Sequence, residues 1–435
     1  MPDLQEHIQS AGDIIWDHCA LSNAAQTRLD ILSLVAEMHI FEDMFSHTMH
    51  GSAYIIDTQD VFGTFPIIGQ EILYVKFNTP KLESFEKAFR VVKVAERSVE
   101  GNKQVYRLFF VSLDGYFDVC FTENRSLIGT PDHIIADVHD KMWNSFNLDS
   151  DFKGAYKPKH LFKTPSNVLR LVSPQWSPIK CIKWAEQRAV NKYGSNDWVY
   201  FETFKGIHFL SLTEHLFQDD NLFTENDNIT IDGFVYDHAP TDAVDLESRY
   251  RKIHKLEYVT TSDQLSQIMN RAYGQKVYNH DLFNKKLSFE VWRKDDVFGT
   301  EIINTDDLIW ADDPFFKITD DAYTTVANTY PKRHNDITED KEVLMEKTRL
   351  SMLGKLEAQK LNVEVWGRTD LTVGNKVLIY IGNYTQRKAD LIEGDDLRST
   401  ASYLITAIHH RLSPSQHKMS FQCIRESTLK PLNPL

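Results

Sequence analysis

Apolar and polar positions alternate in two distant parts of the chain, at about 29–113 and about 350–427, and the two parts read as one strand-rich module written twice. In the first, Ala53-Tyr-Ile-Ile56 ends at Asp57 and a turn-prone stretch at 58–63. Ile72-Leu-Tyr-Val-Lys-Phe77 and the runs 89–94 and 105–111 then supply three more strands rich in aromatic and β-branched residues. In the second, Leu361, Val363 and Val365 alternate with polar residues, and Val373-Gly374-Asn375 turns into Val377-Leu-Ile-Tyr-Ile381. The run 403–412 and the alternating Met419, Phe421 and Cys423 close a hairpin across Ser413-Pro414.

Between the modules the period changes. Thr130-Pro131 and Ser177-Pro178 place a capping side chain before a proline at the first helical position. Ile134, Ile135, Val138, Met142 and Phe146 follow the first at helical spacing, and Ile182, Ala185 and Ala189 follow the second. Trp198-Val-Tyr-Phe201, a turn at Lys205-Gly206 and the run 207–212 predict a hairpin, and the acidic stretch 218–245 reads as a loop-like boundary. Beyond it the pattern predicts a helix at 262–272, a strand at 287–292, and, after the charged run 330–342, a helix through Val343, Leu344 and Leu350. The first 22 residues read as a short helical arm with contacts at Ile8, Ile14, Ile15 and Trp16.

The predicted class is α+β, mainly β, with two antiparallel β domains and helical and α+β insertions. Its divisions are an arm at 1–24, a β domain at 25–129, a helical linker at 130–195, a discontinuous second β domain at 196–240 and 345–435, and an insertion at 241–344. An isolated sheet of either module leaves two open edges that invite another chain. A ring of copies removes them, and three copies carrying two modules each give six quasi-equivalent units around one axis.

With 42% hydrophobic residues a core can form throughout the 435 residues, while a net charge of −14 argues against a grip on phosphate backbones. The start carries no signal-like apolar run, and no apolar stretch reaches the roughly 18 to 20 residues of a membrane span, so membrane insertion is not expected. Cys19, Cys120, Cys181 and Cys423 lack paired spacing and read as buried free thiols.

The chemistry-bearing patterns are weak. His47 and His50 follow Glu42 and Asp43, yet nothing resembles His-Glu-x-x-His, and His409 and His410 face opposite sides of one strand. Asp312-Asp313, Asp320-Asp321 and Asp395-Asp396 are adjacent pairs, a poor arrangement for two carboxylates facing each other across a sugar. No Gly-x-Ser-x-Gly elbow and no phosphate-binding Gly-Lys loop occurs. Trp198, Tyr200, Phe201, Phe204 and Phe209 read as core, and Lys332-Arg333-His334, diluted by Asp336, Glu339 and Asp340, as a solvated face. No catalytic residue, metal ligand or cofactor site is expected. The ring interface is expected on the strands that carry Ile72, Tyr74, Lys76, Val105, Arg107, Phe109, Val377, Ile379, Tyr403, Ile405 and His409.

Particular segments carry a family likeness. Leu32-Ser-Leu-Val-Ala-Glu-Met-His-Ile-Phe-Glu-Asp-Met-Phe45, Ile56-Asp57 and Phe65-Pro-Ile-Ile-Gly-Gln-Glu71 resemble the opening domain of the baseplate hub proteins of contractile-tailed bacteriophages. Phe201-Glu-Thr-Phe-Lys-Gly-Ile-His-Phe-Leu-Ser-Leu212 is similar to a strand pair of those hubs, and Gly274-Gln-Lys-Val-Tyr-Asn-His-Asp281 to their insertion domain. Leu371-Thr-Val-Gly374 and Ser402-Tyr-Leu-Ile-Thr-Ala-Ile-His-His-Arg411 resemble their second tube-like domain. The resemblance implies two tail-tube-like β barrels per subunit and a homotrimeric, pseudo-hexameric ring joining a six-fold tail tube to a trimeric central spike. It also implies contacts with tube or tube-initiator proteins and surrounding baseplate proteins, and DNA passing through the channel without specific binding. The expected place is the tail baseplate of a virion assembled in the host cytoplasm. The competing classes are a tail-associated cell-wall-degrading enzyme and a carbohydrate-binding tail module.

Overall fold

The computed structural model describes residues 10–217 (24, 25, 81 and 83 apart), 233–236, 246–293 (262, 271, 273 and 282–284 apart), 303, 324–329, and 348–427 (357 and 383–398 apart). The first module contributes β1 (Ile15–Ser22), β2 (Arg28–Asp30), β3 (Val35–Asp43), β4 (His50–Asp57), a single turn α1 (Val61–Thr64), β5 (Ile72–Asn78), β6 (Ser84–Glu100) and β7 (Lys103–Ser112). A helical layer follows, with α2 (Leu113–Cys120), β8 (Ser126–Gly129), α3 (Pro131–Asn144), α4 (Ser150–Tyr156), β9 (His160–Phe162), β10 (Leu169–Val172) and α5 (Pro178–Arg188). The hairpin β11 (Trp198–Glu202) and β12 (Ile207–Ser211) leads to β13 (Gly233–Tyr236), α6 (Leu246–Arg251), β14 (Lys255–Thr260), α7 (Gln264–Met269), β15 (Gly274–Asp281), β16 (Lys286–Arg293) and β17 (Thr324–Thr329). The second module closes the chain with α8 (Leu350–Leu356), β18 (Gln359–Trp366), β19 (Lys376–Ile381), β20 (Ala401–Leu412) and β21 (His417–Arg425).

The duplication read from the alternation is present as topology. In the first module the strands lie in the order β3-β4-β7-β6-β5, and in the second in the order β14-β18-β21-β20-β19, so each chain-order quartet pairs first with fourth, fourth with third and third with second. The two halves meet where Ala407 to Leu412 of β20 pair antiparallel with Asp43 to Met38 of β3. Strand β20 is therefore shared, its first half bonded to β19 and its second half to β3, with a bulge between Ile405 and Ala407 marking the change. Two closed barrels were the expectation. Instead the described strands form one continuous thirteen-stranded sheet whose path runs from β14 to β2 without closing. It serves two cores, because backbone pairing at the β3–β20 seam satisfies edges that separate barrels would otherwise leave open.

Period-two alternation explains both cores. Met38, Ile40, Ala53, Ile55, Leu73, Val75, Phe77, Phe89, Tyr106, Leu108 and Phe110 point one way into the first, and Leu361, Val363, Val365, Val377, Ile379, Met419, Phe421 and Cys423 into the second. Helix α3 begins at Pro131 after Thr130, as its sequence predicts, and buries Ile134, Ile135, Val138 and Met142. Ser177 caps α5 by accepting from the Lys180 amide, and Cys181, Ile182 and Ala185 face inward.

Three expectations are corrected here. The end of the arm is a strand, β1, paired antiparallel with β5 over Ile15 to Ser22. Its β-branched and aromatic Ile15 and Trp16 suit the pleat better than a helix, and their apparent helical spacing was a coincidence of a short window. The stretch read as an acidic loop contains β13, parallel to β19. Cys120 is exposed at the end of α2, whereas Cys19, Cys181 and Cys423 are buried and free. The run 330–342, Val343 and Leu344, and the three carboxylate pairs lie outside the described residues. Among the described residues no helix is long and apolar enough to cross a membrane.

At the turn before β19, Gly374 has φ +94° and its amide donates to the Ile405 carbonyl at 2.9 Å, tying the turn to the seam strand. An alanine at this φ meets its own carbonyl, so Gly374→Ala is expected to lower stability by about 1–2 kcal/mol. The midpoint of denaturant unfolding checks this.

Candidate functional site

Two features stand out: a polar face running across both modules, and a buried cluster beneath the seam. The face follows from register. Outward residues line up across strands as Glu364, Ser420, His409, Phe41 and His50, and in the next row as Lys418, Arg411, His39, Ser52 and Phe109. His39 and His409 approach at 2.9 Å, Phe41 stacks between His409 and His50 with centroids 4.4 and 5.2 Å away, and Arg107 lies over the Tyr54 and Phe109 rings. Burial and the neighbouring His39 push the His409 imidazole down to about 4, so it is neutral at pH 7. Between β14, β18, β21, β20 and β3 this face is hollowed into a trough of about 440 Å³ lined by Lys255, Glu257, Asn362, His409 and Gln422. Glu42, Asp43 and Glu364 also line it, so its chemistry is mixed charge and amide.

The buried cluster is built around the β11–β12 hairpin. Both faces of that hairpin are covered, which is why its sequence reads as unbroken apolar runs. Trp198, Tyr200, Ile207 and Phe209 enter the core of α3 and α5, while Val199, Phe201 and Leu210 enter the second module's core. Its tip reaches under the seam: Lys87 of β6 meets Glu202 at 2.6 Å, Phe204 packs on Phe85 and His410, and Glu202 accepts from the Met49 amide at 3.0 Å. Glu42, fully buried on β3, accepts from the Val373 amide, and burial raises its carboxyl to about 8. His410 and His417 approach at 3.0 Å, and desolvation holds both neutral, His417 at about 3. The hairpin thus pins the first module, the second module and the helical layer at one point.

The sequence-named residues are distributed as follows. Val105, Arg107, Phe109 and His409 lie on the polar face. Ile72 and Tyr74 pack against the helical layer, and Lys76 pairs with Glu86 at 2.9 Å. Val377, Ile379, Tyr403 and Ile405 are buried in their own chain's core, so their side chains have no surface to offer a neighbour. Alternation identifies the inward face of a strand but does not distinguish a core from a subunit interface. His47 and His50 do not converge: His47 meets Glu186 at 3.2 Å, and Glu186 also holds Arg349 at 2.7 Å. His409 and His410 do face opposite sides, one on the polar face and one under the seam.

The fold resembles those of two solved tail proteins. The chain is similar to the tail protein from Neisseria meningitidis MC58, with a TM-score of 0.52 and 10% identity over 94% of this chain and 96% of that one. It is also similar to the 43 kDa tail protein of prophage MuSo2 from Shewanella oneidensis, with a TM-score of 0.53 and 7% identity over 94% and 98%. No protein-family model and no curated protein sequence matches the chain.

Proposed function

We propose that this chain is a structural, non-enzymatic hub of a phage-type tail baseplate, working as a homotrimeric ring of six modules between a six-fold tube and a three-fold spike. The observation that carries the reading is the seam. Within one chain the second half of β20 pairs with β3 of the following module. The equivalent strands by topology are β6 and β14, and both end in the same situation. Ser84 to Arg90 of β6 pair with β5, but from Lys93 to Glu100 the strand has β7 on one side only, and β14 ends the sheet path. Both present exposed apolar side chains there, Val92 and Val99 on β6 and Val259 on β14.

Repeating the seam between chains, with the outer half of β6 against β14 of a neighbour, propagates the sheet head to tail. Three copies make six modules, the number that matches the hexameric tube implied by the resemblance to phage hubs, and the fold likeness to two tail proteins agrees with that setting. In such a ring the polar face lines the bore. Its charges are mixed, Arg107, Lys255, Arg411 and Lys418 standing beside Glu257 and Glu364 with neutral His409, and the net charge of −14 over the chain opposes a lasting grip on passing DNA.

The expected mass by light scattering is three times the 50.4 kDa chain, alone or on addition of the trimeric spike. Ala95→Cys combined in turn with Lys255→Cys, Glu257→Cys or Val259→Cys should give covalent dimers and trimers for at least one pairing and none for the single variants. A chain that stays monomeric with spike and forms no cross-link in any pairing overturns the ring.

A further inference from the structure

Outside the seam, in the helical layer, His139 and Asp140 of α3 and His160 of β9 bring one ligand atom each to within 4.8 Å of the others. We propose that His139 Nδ1, His160 Nε2 and Asp140 Oδ1 form a binding site for one divalent transition-metal ion of the zinc or cobalt class, with solvent completing the coordination.

Three observations converge on it. The first is spacing. The two imidazole nitrogens are 2.8 Å apart, and each lies 3.9 or 3.7 Å from the Asp140 oxygen. A tetrahedral ion with ligands at about 2.0–2.1 Å needs about 3.4 Å between them, so the observed distances bracket the requirement and side-chain shifts of about half an ångström complete it.

The second is support behind the ligands. His139 Nε2 donates to Asp114 Oδ1 at 2.7 Å, and the same oxygen accepts from Trp143 Nε1 at 2.7 Å, all three side chains being buried. A buried carboxylate on the far nitrogen fixes the tautomer and leaves Nδ1 as the ligating atom, the arrangement metal-bound histidines adopt.

The third is access and selectivity. His160 and Asp140 are partly exposed, which gives an ion an entry path and water a coordination position. Two imidazoles and one carboxylate favour zinc, cobalt or nickel over calcium or magnesium, which prefer oxygen ligands.

One group competes. Lys157, at the end of α4, holds the Asp140 oxygen at 2.8 Å and must swing into solvent when an ion enters. The consequence of binding is mechanical: β9 runs parallel to β12, with His160 opposite Ile207, so the ion ties α3 to the hairpin that pins the modules.

The test is titration of the metal-free full chain with Co(II), followed by its visible ligand-field absorption, with Zn(II) as displacing ion. The expected result is one saturable equivalent per chain displaced by zinc, weakened at least about tenfold in His160→Ala and in Asp140→Asn, and tightened in Lys157→Ala. Zinc should also raise the thermal midpoint of the native chain but not of His160→Ala. Both weakening variants change partly exposed side chains, and far-ultraviolet circular dichroism confirms that they fold. Absence of saturable uptake, or uptake that His160→Ala and Asp140→Asn leave unchanged, overturns the site.

Discussion

Replacing Lys87 with methionine is expected to lower the unfolding free energy by about 3–5 kcal/mol, because it leaves the Glu202 carboxylate buried without its counter-charge. The ammonium lies 2.6 Å from Glu202 Oε1 and also reaches the Thr203 carbonyl at 3.3 Å, and both charged side chains are almost wholly removed from water. Surface pairs of the same length contribute little, but here no solvent screens the survivor. The companion variant separates loss of attraction from the cost of the stranded charge. In Lys87→Met with Glu202→Gln the amide keeps an acceptor for the Met49 amide and carries no charge, so more than half of the lost stability should return. Denaturant unfolding of the native chain and the two variants measures this. A cost below about 1 kcal/mol for Lys87→Met would mean that Glu202 finds water or another partner, and the hairpin would not be the pin described above.

Most of the fold was legible because most of it obeys period two. The strands around Ile72, Val105, Leu361, Val377, Tyr403 and Met419 all formed where alternation placed them, since half-buried strands announce which face is dry. The helices at Ser150 and Pro178 are capped by the Asp149 and Ser177 side chains, while the helix at Pro131 starts on its proline with no capping bond from Thr130; the Thr130-Pro131 and Ser177-Pro178 pairs are the start signals legible in the sequence. Strand β1 was missed because two adjacent apolar residues in a short segment satisfy either period. Strand β13 was missed because four residues in an acidic setting owe their pairing to β19, a partner about 145 positions away.

The sites were much less legible. Lys87 and Glu202 are 115 positions apart, and His139 and His160 are 21 apart with no motif joining them; only the packing of α3 against β9 and of the hairpin under β6 makes either pair. The sequence signal that did exist was the unbroken apolar character of the β11–β12 hairpin, which marks a strand pair covered on both faces and therefore a junction between layers. For the interface, alternation pointed to strands rich in apolar residues. Of the residues on them, Val377, Ile379, Tyr403 and Ile405 are buried by the chain itself, whereas Val105, Arg107, Phe109 and His409 lie on the polar face. The unpaired edges, the outer half of β6 and β14, mix charged residues with exposed Val92, Val99 and Val259, and a bulge near Glu96 interrupts β6, which is how a sheet edge avoids indiscriminate pairing.

Acidification from pH 7 to pH 5 is expected to weaken the chain by at least about 1 kcal/mol, through buried imidazoles that are neutral when folded. His208 and His417 are held near 3 by burial, Lys205 and Lys87 adding to the effect on His208, and His410 is held well below its ordinary value by burial and by His417. Once unfolded each titrates near 6.5, so between these values the unfolded chain binds more protons and stability falls as pH falls. At pH 5 His208 and His417 account for about 2 kcal/mol each, about 4 together, and His410, with the less buried His160 and His409 held near 4, adds in the same direction. Glu42 acts in the opposite sense. Its folded carboxyl is raised to about 8 against an unfolded value near 4.5, so the folded chain holds the extra proton and acidification over this window returns about 3 kcal/mol. The carboxylates depressed by their partners, Glu186 beside Arg349 and Asp370 beside Arg368, lose their contribution only at lower pH. The buried imidazoles therefore prevail over the one glutamate. Urea unfolding at the two pH values reads the difference, and Glu42→Gln should steepen it by removing the opposing group. Stability that is level or rises between pH 7 and pH 5 would mean that the imidazoles under the seam take up protons while folded, which a cluster closed to water does not allow.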